Sequence, residues 1–86
     1  MTSILIYLSS LTFTKDVGPI FQKRCSACHN EYTPERNWLD YKTAFEKRFL
    51  IKKKVWVDRT MPLGGMYIEE SERRMIKDWV DQGGKK

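Results

Sequence analysis

"DVGPIFQKRCSACH", residues 16–29, runs from an apolar helical pattern into the two cysteines and the only histidine of the chain. Val17, Ile20 and Phe21 recur at helical spacings and share one face. Asp16 is the expected N-cap. Pro19 then falls in the first turn, where its missing N–H has no intrahelical partner to lose. The predicted helix therefore leads directly into Cys25, Cys28 and His29.

Three chemistries use such a cluster. A structural zinc site takes four ligands and a catalytic one three plus an open position. Here only Cys25, Cys28 and His29 are close in sequence, and no other Cys or His exists to complete a set. A thioredoxin-like dithiol expects its C-x-x-C after a strand in a mixed sheet, and a helix precedes Cys25 instead. Covalent haem attachment needs what is present. Two cysteines one helical turn apart can each add across a vinyl group, and the histidine after them is held beneath the iron as proximal ligand. The bland alternative is that the two cysteines are small buried hydrophobes and His29 a surface residue. The coincidence of all three in five positions outweighs it.

The composition is compatible with a cofactor protein. Eighty-six residues make one small domain with a thin core, while 41% hydrophobic and 13% aromatic residues indicate a chain that folds. A bound apolar group would extend such a core. A net charge of +5 favours acidic partners or an anionic surface. Residues 46–54, "EKRFLIKKK", hold five of the positive side chains against one negative. They form either a solvated helix face or a rim that steers an acidic partner. No recognition motif accompanies them, so nucleic acid is not expected. Cysteines three apart cannot staple distant segments, so this is no disulfide scaffold.

The opening apolar run, Ile4 to Phe13, is shorter than the roughly 20 residues a membrane span needs. It lacks a preceding Lys or Arg and a clear cleavage site. Residues 1–14 are read as an atypical signal or anchor, or as an N-terminal extension packed on the fold. Beyond "NEYTPERN", a second helix is expected near Asp40, burying Tyr41, Ala44, Phe45 and Phe49 or Leu50 and continuing through "IKKKVWV". "DRTMPLGG" reads as a loop, because Pro62 stops helical geometry and Gly64 and Gly65 permit turns. "EESERRMIKDWVDQGG" is the clearest helix, with Met75, Ile76, Trp79 and Val80 on one stripe and Gly83 at the C-cap position. No segment shows strand periodicity. The fold class is all-α.

A second axial ligand for a haem iron would come from methionine, since no further histidine exists. Met75 lies on the apolar stripe of the last helix, where core packing is its expected role. Met61 sits in a loop and precedes Pro62, which biases it to an extended backbone. Met61 is therefore favoured, with Met66 beside the Gly64-Gly65 turn as the alternative. Trp38, Trp56 and Tyr41 are candidates to line a haem pocket or bond a propionate, and equally candidates for ordinary core aromatics.

The segments "DVGPIFQKRCSACH", "TMP" and "ESERRMIKDWVDQGG" together resemble the class I cytochromes c, the small single-haem His/Met family, over about residues 16–84. The resemblance implies one covalent haem c in a compact cytochrome c fold over residues 15–86. Its first and last helices would cross, bringing Phe21 to Trp79. It assigns Cys25 and Cys28 as thioether sites, His29 as proximal and Met61 as distal ligand. Two positions depart from the pattern. Glu69 stands where many relatives carry Ser or Thr at the last helix start. No Gly-Pro closely follows His29, which leaves the Pro34 carbonyl as the nominated acceptor for its other ring N–H.

The resemblance further implies an electron carrier and not an enzyme, exported to a periplasm or its equivalent, soluble or tethered to a membrane. Its partners would be redox proteins with acidic docking surfaces, and a monomer is expected. Two rivals remain open. An iron with no methionine ligand suits gas sensing or peroxidase-like chemistry, and a haem-free chain would be a small basic binding module. Service as an electron-transfer subunit of a larger oxidoreductase is a variant of the first reading.

Overall fold

Thr12 starts the first helix. Its hydroxyl accepts the Lys15 N–H at 3.2 Å, while Asp16 Oδ2 accepts the Thr12 N–H at 2.8 Å. In this computed structural model, which describes residues 10–62 and 66–86, a π-helical turn (Phe13–Val17) leads into α1 (Gly18–Arg24). The wide turn has a local cause. Pro19 has no N–H to return to the Lys15 carbonyl, and its ring would crowd that carbonyl in a regular helix. The Gly18 N–H bonds instead to the Phe13 carbonyl. A Cβ at Gly18 would lie 2.7 Å from that oxygen, so glycine alone fits there. The expected cap at Asp16 is thus corrected to Thr12, with Asp16 supplying the carboxylate that closes the cap from within the helix.

This earlier start draws Leu11 and Phe13 into the core. The boundary placed after residue 14 falls inside the packed unit, which includes residues 11–14. Residues 1–9, most of the N-terminal apolar run, lie outside the described residues. The chain's last residues lie across the helix start. The Phe13 and Thr14 N–H groups donate to the Lys85 and Lys86 carbonyls, each at 2.8 Å, and the Leu11 N–H to Gln82 Oε1 at 2.8 Å. These satisfy donors that an opening helix leaves unpaired.

A 3₁₀ turn (Pro34–Arg36) precedes α2 (Tyr41–Glu46), where Asp40 caps the Thr43 N–H at 3.0 Å as expected. The helix does not run on unbroken. Lys47, at φ −101° and ψ 15°, separates α2 from α3 (Arg48–Lys52), which continues into a second π-helical turn (Lys53–Val57). Ala44, Ile51 and Val55, spaced seven and four apart, still share one face and are buried, while Phe49 and Leu50 are exposed. The expected burial of Phe49 or Leu50 is therefore corrected.

The last helix, α4 (Glu70–Asp81), opens with the Glu72 carboxylate accepting the Glu69 N–H at 3.0 Å. The N3 carboxylate thus supports the start despite the absence of Ser or Thr. It ends one residue before the expected glycine. Gln82 is the C-cap, the Gly83 N–H reaches the Val80 carbonyl at 3.0 Å, and the Gly84 N–H reaches Trp79 at 2.9 Å. Gly83 has positive φ, as the first residue past the cap requires in this paired termination, and Gly84 has positive φ as well. Ile76, Trp79 and Val80 are buried, and Met75 packs against them in its core role.

The first and last helices meet at Phe21 and Trp79. Both are fully buried, and their rings stand edge to face at 6.4 Å between centroids and 81° between planes. This is the expected contact. Phe13 adds a third ring 6.2 Å from Trp79, whose indole Nε1 donates to the Lys85 carbonyl at 2.8 Å. Beside the junction, Arg24 Nε donates to Glu72 Oε1 at 2.9 Å and Lys23 lies 3.3 Å from Oε2. Among the described residues every regular element is helical, and no helix is long and apolar enough to cross a membrane.

Removing the Phe21 ring empties the junction, so Phe21→Ala should cost about 3–5 kcal/mol in urea unfolding. Phe49→Ala, at a site 66% exposed, should change stability by no more than about 0.5 kcal/mol. Equal losses for the two would overturn the burial assignment. Glu72 gives a pH signature. Burial opposes its charge, but the Glu69 N–H and the Arg24 and Lys23 cations outweigh burial and hold its carboxyl below the ordinary value. A depressed carboxyl stabilises the fold above the unfolded pKa, about 4.3, and loses that contribution as pH falls through the folded value. Glu72→Gln should be less stable than wild type at pH 7 and show a flatter acid limb, measured as urea midpoint against pH.

Candidate functional site

α1 delivers the cysteines. The Cys25 N–H donates to the Phe21 carbonyl at 2.8 Å, ending the helix. The next turn folds back on Cys25, whose carbonyl accepts from Cys28 at 3.1 Å and His29 at 2.9 Å. Asn30 locks the turn after it. Its Nδ2 donates to the Ser26 carbonyl at 2.6 Å, and its Oδ1 accepts the Tyr32 N–H at 2.9 Å. The chain is thereby directed into the Pro34–Arg36 segment.

That segment fixes the histidine. His29 Nδ1 lies 2.9 Å from the Arg36 carbonyl. A carbonyl can only accept, so Nδ1 carries the hydrogen and Nε2 of the neutral ring keeps its lone pair for a ligand bond. The acceptor is Arg36 and not Pro34, because the 3₁₀ turn carries the chain past Pro34 before a carbonyl faces the ring. Trp38 supports the imidazole from one side, stacked at 4.7 Å between centroids and 18° between planes. Burial pushes the His29 pKa down; the Arg36 hydrogen bond opposes this and the Arg36 charge reinforces it. Burial thus favours the neutral ring, the form that can bind a metal ion.

Cys25, Cys28, His29 and Met61 all line one cavity of about 450 Å³. That volume lies within the roughly 300–1,000 Å³ of cofactor and ligand sites. Phe21, Trp38, Ile51 and Val55 give it an apolar wall, with Arg24, Glu35, Arg36, Lys47 and Lys54 also on the lining. Met61 is partly buried against the core, whereas Met66, which also lines the cavity, is 42% exposed. Gly64 and Gly65 lie outside the described residues.

Of the three candidate aromatics, only Trp38 reaches the cavity. The Tyr41 hydroxyl is spent on the Gly84 carbonyl at 2.7 Å, and its ring packs on Phe13 at 5.4 Å. Trp56 lies beneath the Arg59 and Lys77 cations, 4.7 and 5.8 Å from its centroid. Neither lines the cavity, which leaves their other reading, ordinary structural aromatics. The wall from α3 and its π-helical turn was missed by sequence reasoning. Lys47, Leu50, Ile51, Lys54 and Val55 follow the three-and-four spacing of a single helix face, and that stripe was the signal available.

The alternative chemistries lack support here. Cys25 is half-buried, and burial, with smaller contributions from Cys28 and Glu72, pushes its pKa up to about 11. A reactive dithiol needs the opposite shift. Among the described residues no group of three or more His, Cys, Asp or Glu side chains converges to hold a metal ion. Compared with protein-family models, curated proteins and solved structures, the chain gives no match.

Unequal burial predicts unequal thiol reactivity in the haem-free chain. In single-cysteine variants at pH 8, Cys28, which is exposed, should be alkylated by iodoacetamide well before Cys25. A pKa near 11 leaves only on the order of one Cys25 thiol in a thousand ionised at that pH. Mass spectrometry against time reads the order directly, and faster labelling of Cys25 would contradict the burial.

Proposed function

We propose that this protein is a single-haem c-type cytochrome that carries electrons between redox partners and catalyses no bond chemistry of its own. The observation that supports it most is the shared cavity. Two thiols, an imidazole oriented through Nδ1 and a thioether line one apolar space of cofactor size. The donor set fits haem c: two sulfurs for covalent attachment, a soft thioether and a neutral imidazole for the iron.

When bound, haem supplies a one-electron ferrous/ferric couple. The residues supply attachment and fixed ligand geometry. Cys25 and Cys28 would form the thioethers. His29 would offer Nε2, with the Arg36 carbonyl and the Trp38 face preventing ring rotation. Met61 would supply the second ligand to the iron. Phe21, Ile51 and Val55 exclude water from the inner wall, and rigid surroundings of this kind keep reorganisation small between oxidation states. Arg24, Arg36, Lys47 and Lys54 outnumber Glu35 around the cavity, which suits an anionic group on the cofactor and an acidic surface on a docking partner. Assembly of such a protein belongs on the oxidising side of an energy-transducing membrane, in a periplasm or its equivalent, and it is proposed to act there as a monomer.

Co-expression with a haem-attachment system, followed by acid-acetone extraction and visible spectra of wild type and Met61→Ala, tests this reading. Colour should stay with the polypeptide, and the sulfur-to-iron charge-transfer band of the ferric wild type should vanish in the variant. Retained haem without that band in wild type would favour an open iron site suited to gas binding or peroxidase-like chemistry. Complete loss of colour would sink haem attachment altogether.

A further inference from the structure

The loop that carries Met61 is held by the last helix. Arg73, in the first turns of α4, donates from Nη1 to two carbonyls, that of Val55 at 2.6 Å and that of Met61 at 2.8 Å. A terminal guanidinium nitrogen has two hydrogens, so both bonds are made together. The Val55 carbonyl belongs to the closing π-helical turn, where helix carbonyls lack intrahelical partners and a cation is favoured.

The other peptide group of Met61 is tied as well. The N–H groups of Thr60 and Met61 both donate to the Lys54 carbonyl, at 2.9 and 3.3 Å. Arg59, left-handed at φ 57°, turns the chain and forks onto the Glu70 carboxylate at 2.6 and 2.8 Å. Lys54 thus holds the amide and Arg73 the carbonyl of a single residue, and that residue lines the cavity containing His29. Arg73 does not itself line that cavity.

We propose that Arg73 is a positioning residue for Met61, fixing its backbone so that the thioether is presented to the cavity. This rests on the haem reading and adds to it a residue from outside the cavity wall. A thioether is a weak ligand in competition with any stronger donor that enters. Its effective strength depends on how little freedom is lost when it binds. With the carbonyl clamp released, the loop gains conformations in which the sulfur is withdrawn, and a competing ligand gains by that amount.

Imidazole titration of the haem-loaded ferric protein measures the effect, with the sulfur-to-iron band as readout. Arg73→Gln should bind imidazole on the order of tenfold more tightly than wild type, equivalent to about 1.4 kcal/mol. Arg73→Lys, which keeps the charge, should fall between the two. Arg74→Gln, exposed on the same helix, should match wild type. A purely structural role would lower the urea midpoint without moving imidazole affinity under native conditions. The proposal is overturned if Arg73→Gln, folded by far-ultraviolet circular dichroism, binds imidazole as wild type does. If Arg73→Gln does not fold, wild-type affinity in Arg73→Lys overturns it equally. Failure of the parent reading looks different: the band is absent from wild type, or unchanged in Met61→Ala.

Discussion

The buried edge-to-face contact of Phe21 with Trp79 is the constraint on which the rest depends. α1 ends one turn beyond Phe21 in the cysteine pair, and α4 carries both Trp79 and Arg73, which reaches the Met61 loop. The relative placement of His29 and Met61 is therefore set by how those two helices are joined. An aromatic pair adds only about 0.5–1.5 kcal/mol beyond its area. Here it also fixes which side of each helix faces the other. Phe13, the Trp79 indole bond to Lys85 and the Arg24–Glu72 pair surround it.

A domain of this size has little core to spare. The buried apolar residues concentrate around that junction and along Ala44, Ile51 and Val55, while the 450 Å³ cavity opens between Cys28, His29 and the α3 face. Close packing would normally collapse such a space, because its lining forfeits dispersion contacts. Local ties hold its walls apart: the Asn30 turn on one side, the Lys47 break and the Lys54 carbonyl on another. The result is an apolar space bounded by polar ties. The cations around the cavity fit the same description.

What was legible in the sequence was local. The cluster of Cys25, Cys28 and His29, the Asp40 cap, the loop at Met61 and the stripe of the last helix are set by spacing and capping within a few residues. The junction of Phe21 and Trp79 came from the family likeness and not from periodicity. The misses were contacts made across the chain. Thr12 could not be preferred over Asp16 without knowing that Gln82, Lys85 and Lys86 receive the Leu11, Phe13 and Thr14 N–H groups, some seventy residues away. Phe49 and Ile51 are equally apolar, and only Ile51 shares the buried face of Ala44 and Val55. The Tyr41 hydroxyl had a plausible use at a cofactor and is taken by the Gly84 carbonyl instead, while Trp56 offers its face to the Arg59 and Lys77 cations away from the cavity. The Arg36 carbonyl was within reach of the argument, displaced only by the turn that begins at Pro34.

The two sides of the cavity that carry His29 and Met61 are therefore built differently. His29 is held by neighbours within ten residues: the Cys25 carbonyl, the Arg36 carbonyl and the Trp38 ring. Met61 is held by Lys54, a local tie, and by Arg73, which belongs to another helix. A local opening that separates the Met61 loop from α4 breaks the second hold without disturbing the first. Free energies of local opening track the contacts that each segment owns, and exposed loops lie at the low end. The histidine side therefore persists through fluctuations that release the methionine side, and how the Met61 thioether is presented to the cavity becomes a property of the seam between loop and helix more than of the sulfur itself. A chain with one histidine and one clamped loop methionine can adjust that presentation by changing residues, such as Arg73, that do not line the cavity.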